Sequence, residues 1–521
     1  MKKLTLLLCF VSFLTKAQNI TVASGKSFTI EKTGSVTMSG NFSNAGSFTL
    51  NSDSDEFSSI IIGGSVTGNI TYNRYVNSVG TNEWDLIGAP VGGQSLEAFV
   101  TANASTLATN GDTYAIGNYS NWGNTWTNYT SSDFVNDWGE VTFPLGMGYQ
   151  MGTIANGTGI LSFTGAPAAS NQTWGITNND AANSGAGTRW NLVANPFPSY
   201  IQGNANADSS NNFLTVNSDK LDDSYEAIYG YDADGSGYTV YNNTSAALRL
   251  APGQAFMVAS DNTSYDDISF TTAMRTIVGG DDLILGRIMQ DSHELILSIS
   301  QGDTEIDQTK FYFQDGLNLG LDPGYDAGHF NQQAALISRL VEEDEGVGLA
   351  INAMGLESID DVVIPLVINR EAANGFGVSI HTNGIYEGTN IYLEDNQLGT
   401  MTLLNQQDFE LIPEINLSEG GRFYLHLTQT TFSIEDETLT NHLNAYKLDS
   451  SNFITVEGLA FQSNQTNLRL YNILGQQVLQ KTLANNSNRE TVSTEGFATG
   501  VYVIKLESEN VIVTKKIVIK K

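Results

Sequence analysis

Leu468-Arg469-Leu470-Tyr471-Asn472-Ile473-Leu474-Gly475-Gln476-Gln477-Val478 alternates apolar and polar residues, breaks at Leu474-Gly475, and then resumes. That pattern is a strand, a tight turn and the next strand. Downstream, Gly500-Val501-Tyr502-Val503-Ile504-Lys505-Leu506 and the run 511–521 repeat the alternation. Residues 445–521 therefore read as a compact Ig-like sandwich of about seven strands. Upstream, residues 432–444 carry Glu435-Asp436-Glu437 and read as a polar linker. The end of the chain is basic, because Lys505, Lys515, Lys516, Lys520 and Lys521 face only Glu507 and Glu509. The whole chain, with 24 Lys+Arg against 56 Asp+Glu, has a net charge of −32. A basic terminus on so acidic a protein marks a recognised surface. The overall acidity repels phosphate backbones and argues against nucleic acid as a partner.

Three ordered segments, LRLYNILGQQV (468–478), GFATGVYVIKL (496–506) and TKKIVIKK (514–521), lie flush with the C-terminus. Together they resemble the type A C-terminal sorting domain of type IX secretion substrates from Bacteroidetes-like bacteria. The resemblance covers about residues 440–521 and implies a sorting motif built on Gly475, Gly500, Tyr502, Lys515, Lys516, Lys520 and Lys521. It implies two partners, the type IX translocon and a sortase-like peptidase that removes the domain, and a destination that is secreted or on the outer cell surface. The family often opens this domain with Tyr-Pro-Asn-Pro, whereas residues 444–449 here contain no proline.

The other end supports export. Lys2 and Lys3 precede an apolar run over residues 4–14, and Ala17 supplies a small residue for cleavage, so residues 1–17 read as a signal peptide. The run is too short for a transmembrane segment, which needs about twenty residues. Cys9, the one cysteine, lies inside it, so disulfides and thiol chemistry are not expected of the mature chain.

Between these signals the reading is all-β and multidomain. Residues 18–80 show short alternating segments at close intervals, the rungs of a small β-solenoid or a meander. Residues 81–175 and 176–276 read as two copies of a β-rich repeat. Trp84-Asp85-Leu86-Ile87-Gly88-Ala89-Pro90 returns as Trp190-Asn191-Leu192-Val193-Ala194-Asn195-Pro196, and the block at 145–151 returns at 252–258. An aromatic hairpin at 116–129 likewise returns at 228–241, with Tyr119, Trp126 and Tyr129 matched by Tyr231, Tyr238 and Tyr241. Residues 277–431 read as an antiparallel β-sandwich, interrupted by one short helix around 332–340.

Chemistry is sparse. No His pair has metal spacing, no serine elbow is present, and His426 alternates within an apolar strand as a core residue would. Glu305-Ile306-Asp307 resembles the start of the acidic strand of laminarinase-type glycosidases, but Lys310 stands where the second glutamate would be. No catalytic residues are assigned, and the expectation is not an enzyme. Asp232, Asp234 and Ser236, followed by Gly237, place oxygens at alternate positions as in the first half of a calcium loop. Asp322 and Asp326 form a second candidate cluster. Trp122, Trp126 and Tyr129 on their hairpin are candidate glycan contacts. The reading is an exported, adhesin-like binding protein for glycan or a cell-envelope ligand. Its alternatives are a secreted polysaccharide-degrading enzyme and a purely structural surface component.

Overall fold

The ladders of residues 20–75 run parallel. In the computed structural model the described residues are 18–79, 84–137, 139–232, 237–280, 293–386, 388–429, 443–447, 451–485, 487, 489–508 and 511–519. The expected signal peptide, most of the expected linker, Lys520 and Lys521 lie outside them. Ile20–Val22 pairs with Phe42–Asn44, and Phe42–Asn44 with Val66–Thr67. Ser27–Ile30 pairs with Ser47–Asn51 and then Ile70–Tyr75, and Ser35–Met38 pairs with Ser59–Ile62. A meander pairs antiparallel strands through hairpins, whereas parallel neighbours need a crossover, so this segment is a solenoid. Like side chains stack from rung to rung: Phe28 lies on Phe48 with centroids 5.0 Å apart. Val22, Met38, Phe48, Leu50, Ile60 and Tyr72 fill the interior.

The two blocks that recur in the sequence occupy matching registers. Ile87 faces Tyr149 where Val193 faces Phe256, and Gly117 faces Gln150 where Tyr229 faces Met257. They also meet reciprocally. The Gly88 amide donates to the Gly253 carbonyl at 2.7 Å, and the equivalent Ala194 amide donates to the Gly146 carbonyl at 2.8 Å. Ile87 bridges Gln254 while Met147 bridges Val193, which is the pattern of an isologous two-fold contact realised within one chain. Gly253 reaches this clasp with φ +68°, and a Cβ there would stand 2.6 Å from the Gly88 oxygen.

Residues 293–428 build one continuous sheet. Its order is Thr400–Leu403, Asn390–Asp395, Phe423–Thr428, Asp361–Ile368, Leu336–Ser338, Leu349–Met354, Thr304–Phe313, His293–Gln301, Phe376–Asn383, Phe409–Leu411. Strands from both ends contribute to a single core, with Leu295, Phe311, Leu366, Phe376, Leu393 and Phe423 in one cluster, so the sheet curls around it. Two sequence expectations change here. Thr304–Phe313 and Leu349–Met354 pair parallel, so the ladders are not all antiparallel. The helix expected at 332–340 does not form: Leu336–Ser338 is a strand, with Leu336 opposite Ile368 and Ser338 opposite Leu349.

The chain divides into two compact units, and the division does not follow the expected boundary at 276–277. Residues 222–227 and 240–246 belong with the C-terminal unit, where the Asn243 amide donates to the Gly324 carbonyl at 2.9 Å.

The C-terminal module has two facing sheets. Asn444–Tyr446, Phe453–Glu457 and Arg489–Ser493 form one, and Gln477–Leu483, Thr466–Asn472, Gly500–Ser508 and Val511–Ile519 form the other. Ala445, Ile454, Val456, Leu468, Leu470, Ile504, Leu506 and Ile517 pack between them. The first strand thus begins at Asn444, inside the segment read as linker.

Candidate functional site

The C-terminal module is positioned by its turns. Gly475 takes φ +74°, a left-handed conformation that glycine adopts without penalty, and its amide donates to the Asn472 carbonyl at 2.9 Å. The Asn472 side-chain oxygen accepts the amides of Leu474 at 3.1 Å and Gln476 at 3.0 Å, so this asparagine closes the turn. Ile473 and Leu474 stand exposed at its tip. Tyr502 is buried, and its hydroxyl donates to the Ala498 carbonyl at 3.0 Å, pinning the strand to the chain four residues upstream. Many Ig-like sandwiches hold a corner this way. Tyr502→Phe is expected to cost about 1 kcal/mol in urea unfolding, and an unchanged midpoint would mean that the bond does not hold the corner. Gly500 opens the same strand, opposite Ile519.

Lys505, Lys515 and Lys516 are engaged. Lys505 pairs with Glu507 at 2.6 Å, and Glu507 also meets Arg469. Lys516 Nζ lies 2.7 Å from Asp361 Oδ1. Lys515 Nζ lies 3.2 Å from Glu394 Oε1 and 3.2 Å from Asn396 Oδ1. Both amines therefore face carboxylates of the 293–428 sheet.

Trp122, Trp126 and Tyr129 share one hairpin, Thr113–Ser120 with Thr125–Thr130. Trp122 sits in the connecting turn with 58% of its surface exposed. Trp126 is 36% exposed and leans on Tyr119 across the ladder, with centroids 5.0 Å apart. Tyr129 turns inward instead, 6.2 Å from Tyr149. The tip is braced by asparagine amides: Asn121 Nδ2 donates to the Thr177 carbonyl at 2.9 Å and to Asn191 Oδ1 at 3.1 Å. On the second hairpin Tyr231 and Tyr238 repeat the aromatic pair at 5.4 Å. Asp234, Ser236 and the side chain of Asp232 lie outside the described residues. Asp326 is engaged within its own loop. Its carboxylate accepts the amides of Ala353 and Asp322, each at 2.7 Å, and staples the loop, while burial pushes its carboxyl up to about 7. Among the described residues no three acidic, His or Cys side chains gather as metal ligands.

Two family matches cover nearly the whole chain. Residues 10–427 match the family described as Domain of unknown function (DUF8693). The chain belongs to that family. Residues 450–520 match the Secretion system C-terminal sorting domain, which makes this a type IX secretion substrate of the Bacteroidetes type, delivered to the cell surface or the extracellular space. No curated protein matches the chain. Among solved structures, one described as "Biofilm associated protein - BSP domain" is similar over 87% of this chain and 96% of that one, with 8% identity and a TM-score of 0.13. No helix among the described residues is long and apolar enough to cross a membrane.

The DUF8693 body thus ends in the 293–428 sheet, and the sorting domain follows. The residue that sequence reading missed is Glu394. It is only 4% exposed, and its Oε2 lies 2.9 Å from His426 Nε2 while Oε1 faces Lys515. Burial pushes the Glu394 carboxyl up, but His426 and Lys515 together outweigh it and hold the carboxyl below its ordinary range. His426 is the buried residue its strand pattern suggested. Its partner lies 32 residues away in sequence, beyond any local spacing rule.

Proposed function

We propose that this protein is a non-catalytic, adhesin-like binding protein that the sorting domain delivers outside the cell, where the hairpin at 113–130 contacts glycan. The supporting observation is Trp122, held at a hairpin tip with most of its indole in solvent. An indole of that size is ordinarily buried, because its burial contributes more than that of any other side chain. Keeping one exposed on a tip braced by asparagines suits stacking against a sugar ring, with amide groups nearby for hydroxyls. Trp126 and Tyr119 add an aromatic pair on the same hairpin.

The test is a glycan array probed with the chain lacking residues 1–17, with and without chelator, alongside an assay of the same polysaccharides for new reducing ends. Binding without cleavage is expected. Trp122→Ala should weaken it roughly tenfold or more while leaving the unfolding midpoint unchanged, as fits the loss of about 1.4 kcal/mol of stacking. A Trp122→Ala variant that binds as well as the parent would sink the assignment. Newly formed reducing ends would favour the enzyme alternative, and no binding to any glycan would overturn the glycan reading and leave the structural alternative. Loss of binding in chelator would show that a cation is required, and Asp232→Asn with Asp234→Asn would then test whether Asp232, Asp234 and Ser236 hold it.

A further inference from the structure

On its side away from the core, the 293–428 sheet holds the sorting domain at several points. Lys515 lies opposite the buried Ile504 on the edge strand Val511–Ile519, so its stem lies on the core side and its amine reaches past the sheet edge. There it meets Glu394 Oε1 and Asn396 Oδ1, each at 3.2 Å. Asn444, on the domain's other sheet, donates to the main-chain oxygen of the same Asn396 at 2.9 Å. Lys516 meets Asp361 at 2.7 Å, and Val501 packs on Val363 and Tyr424.

The body's side of this contact is held by the body's own residues. Asp395 Oδ1 accepts the amides of Gln397 at 3.0 Å and Leu398 at 3.1 Å, and Arg422 grips both oxygens of the same carboxylate. This fixes the turn that carries Asn396. His426 orients Glu394 from the neighbouring strand and leaves Oε1 for an incoming cation. A carboxylate buried this deeply is costly unless it is paired, and the second partner comes from the sorting domain.

We infer that the patch formed by Glu394, Asn396, Asp361, Val363 and Tyr424 is a docking site for the chain's own sorting domain, and that the domain stays bound without a covalent link after a cut within residues 430–442. Docking turns Lys515 and Lys516 toward the body, so any machinery that reads these lysines competes with Glu394 and Asp361. Retention does not depend on what the aromatic hairpin binds.

The experiment uses the full chain with a protease recognition sequence placed inside 430–442, cut to completion and followed by size-exclusion chromatography and native mass spectrometry. The two fragments are expected to travel together at about 0.05 M salt and to separate faster at about 0.5 M, where the charges are screened. Lys515→Ala and Glu394→Gln should each speed separation at least tenfold. Loss of a buried, hydrogen-bonded charge partner acts mainly on dissociation. If Glu394→Gln prevents folding, Lys516→Asp and Asp361→Lys still decide, since both positions are partly solvent-exposed. Each alone should speed release, and the two together should restore parental retention. Parental fragments that separate at once on cutting would overturn the inference, as would variants that all release at the parental rate.

Discussion

Replacing Arg422 by alanine is expected to destabilise the C-terminal unit by about 3–5 kcal/mol, the cost of leaving one partner of a buried ion pair alone. Arg422 Nε donates to Asp395 Oδ1 at 3.0 Å and Nη2 to Oδ2 at 2.7 Å, while its guanidinium lies 4.9 Å from the Phe423 ring centroid. Asp395 has no exposed surface, so without the arginine its charge keeps only the two turn amides and is otherwise desolvated. Arg422→Lys should recover only part of the loss, because an ammonium cannot match the two-pronged geometry. The readout is selective. All six tryptophans lie between Trp84 and Trp190, in the other compact unit, so indole fluorescence is blind to this change. Denaturant unfolding followed by far-UV circular dichroism should show the transition of the C-terminal unit at lower denaturant. If that transition moved by less than about 1 kcal/mol, the pair would not hold the turn.

How much of this was legible in the chain depends on the range over which each feature is encoded. Period-two alternation is local, and it located the strands of the solenoid, the hairpins and the sorting domain. Whether those strands pair parallel or antiparallel is not local: Ser27-Phe28-Thr29-Ile30 suits a rung as well as a meander until Ser47–Asn51 lies beside it in register. The segment 332–340 shows the opposite failure. Its apolar residues, Ala334, Ala335, Leu336, Ile337 and Leu340, carry a helical spacing. The two central ones are instead buried in the middle of a sheet, where backbone pairing to both neighbours overrides a weak propensity. At the candidate sites, exposure of Trp122 followed from its place at a turn. The Glu394, His426 and Lys515 cluster had no such signal, because its members come from three strands and only the fold brings them together. The charge count marks Lys515 and Lys516 as part of a basic end, but it cannot show that Glu394 and Asp361 of the body face them.

The second large effect is expected at Arg74, which has no exposed surface and lies in the strand Ile70–Tyr75, the last rung of the solenoid. Its guanidinium carbon sits 4.1 Å from the Phe57 ring centroid, Nη1 donates to the Tyr75 carbonyl at 2.8 Å, and Nε donates to the Pro252 carbonyl at 3.0 Å. Pro252 leads into the Gly253 clasp between the two matching blocks. One side chain therefore ties solenoid and clasp together within the N-terminal unit. Arg74→Ala removes the cation, leaves a void and takes a donor from both carbonyls, which should cost roughly 3–5 kcal/mol, the range of large-to-small changes in a packed core. Arg74→Met tests which part of the side chain matters. It fills the volume and contacts Phe57 without placing a charge in the interior, so it should recover at least half of the loss if packing dominates. If the Pro252 bond dominates, methionine should be as damaging as alanine. Here indole fluorescence is the informative signal, since every tryptophan lies in this unit, and its midpoint should fall while the transition that Arg422→Ala displaces stays in place. An Arg74→Ala protein with an unmoved indole midpoint would show that the solenoid and the clasp are held by their own ladders and that this arginine adds nothing measurable.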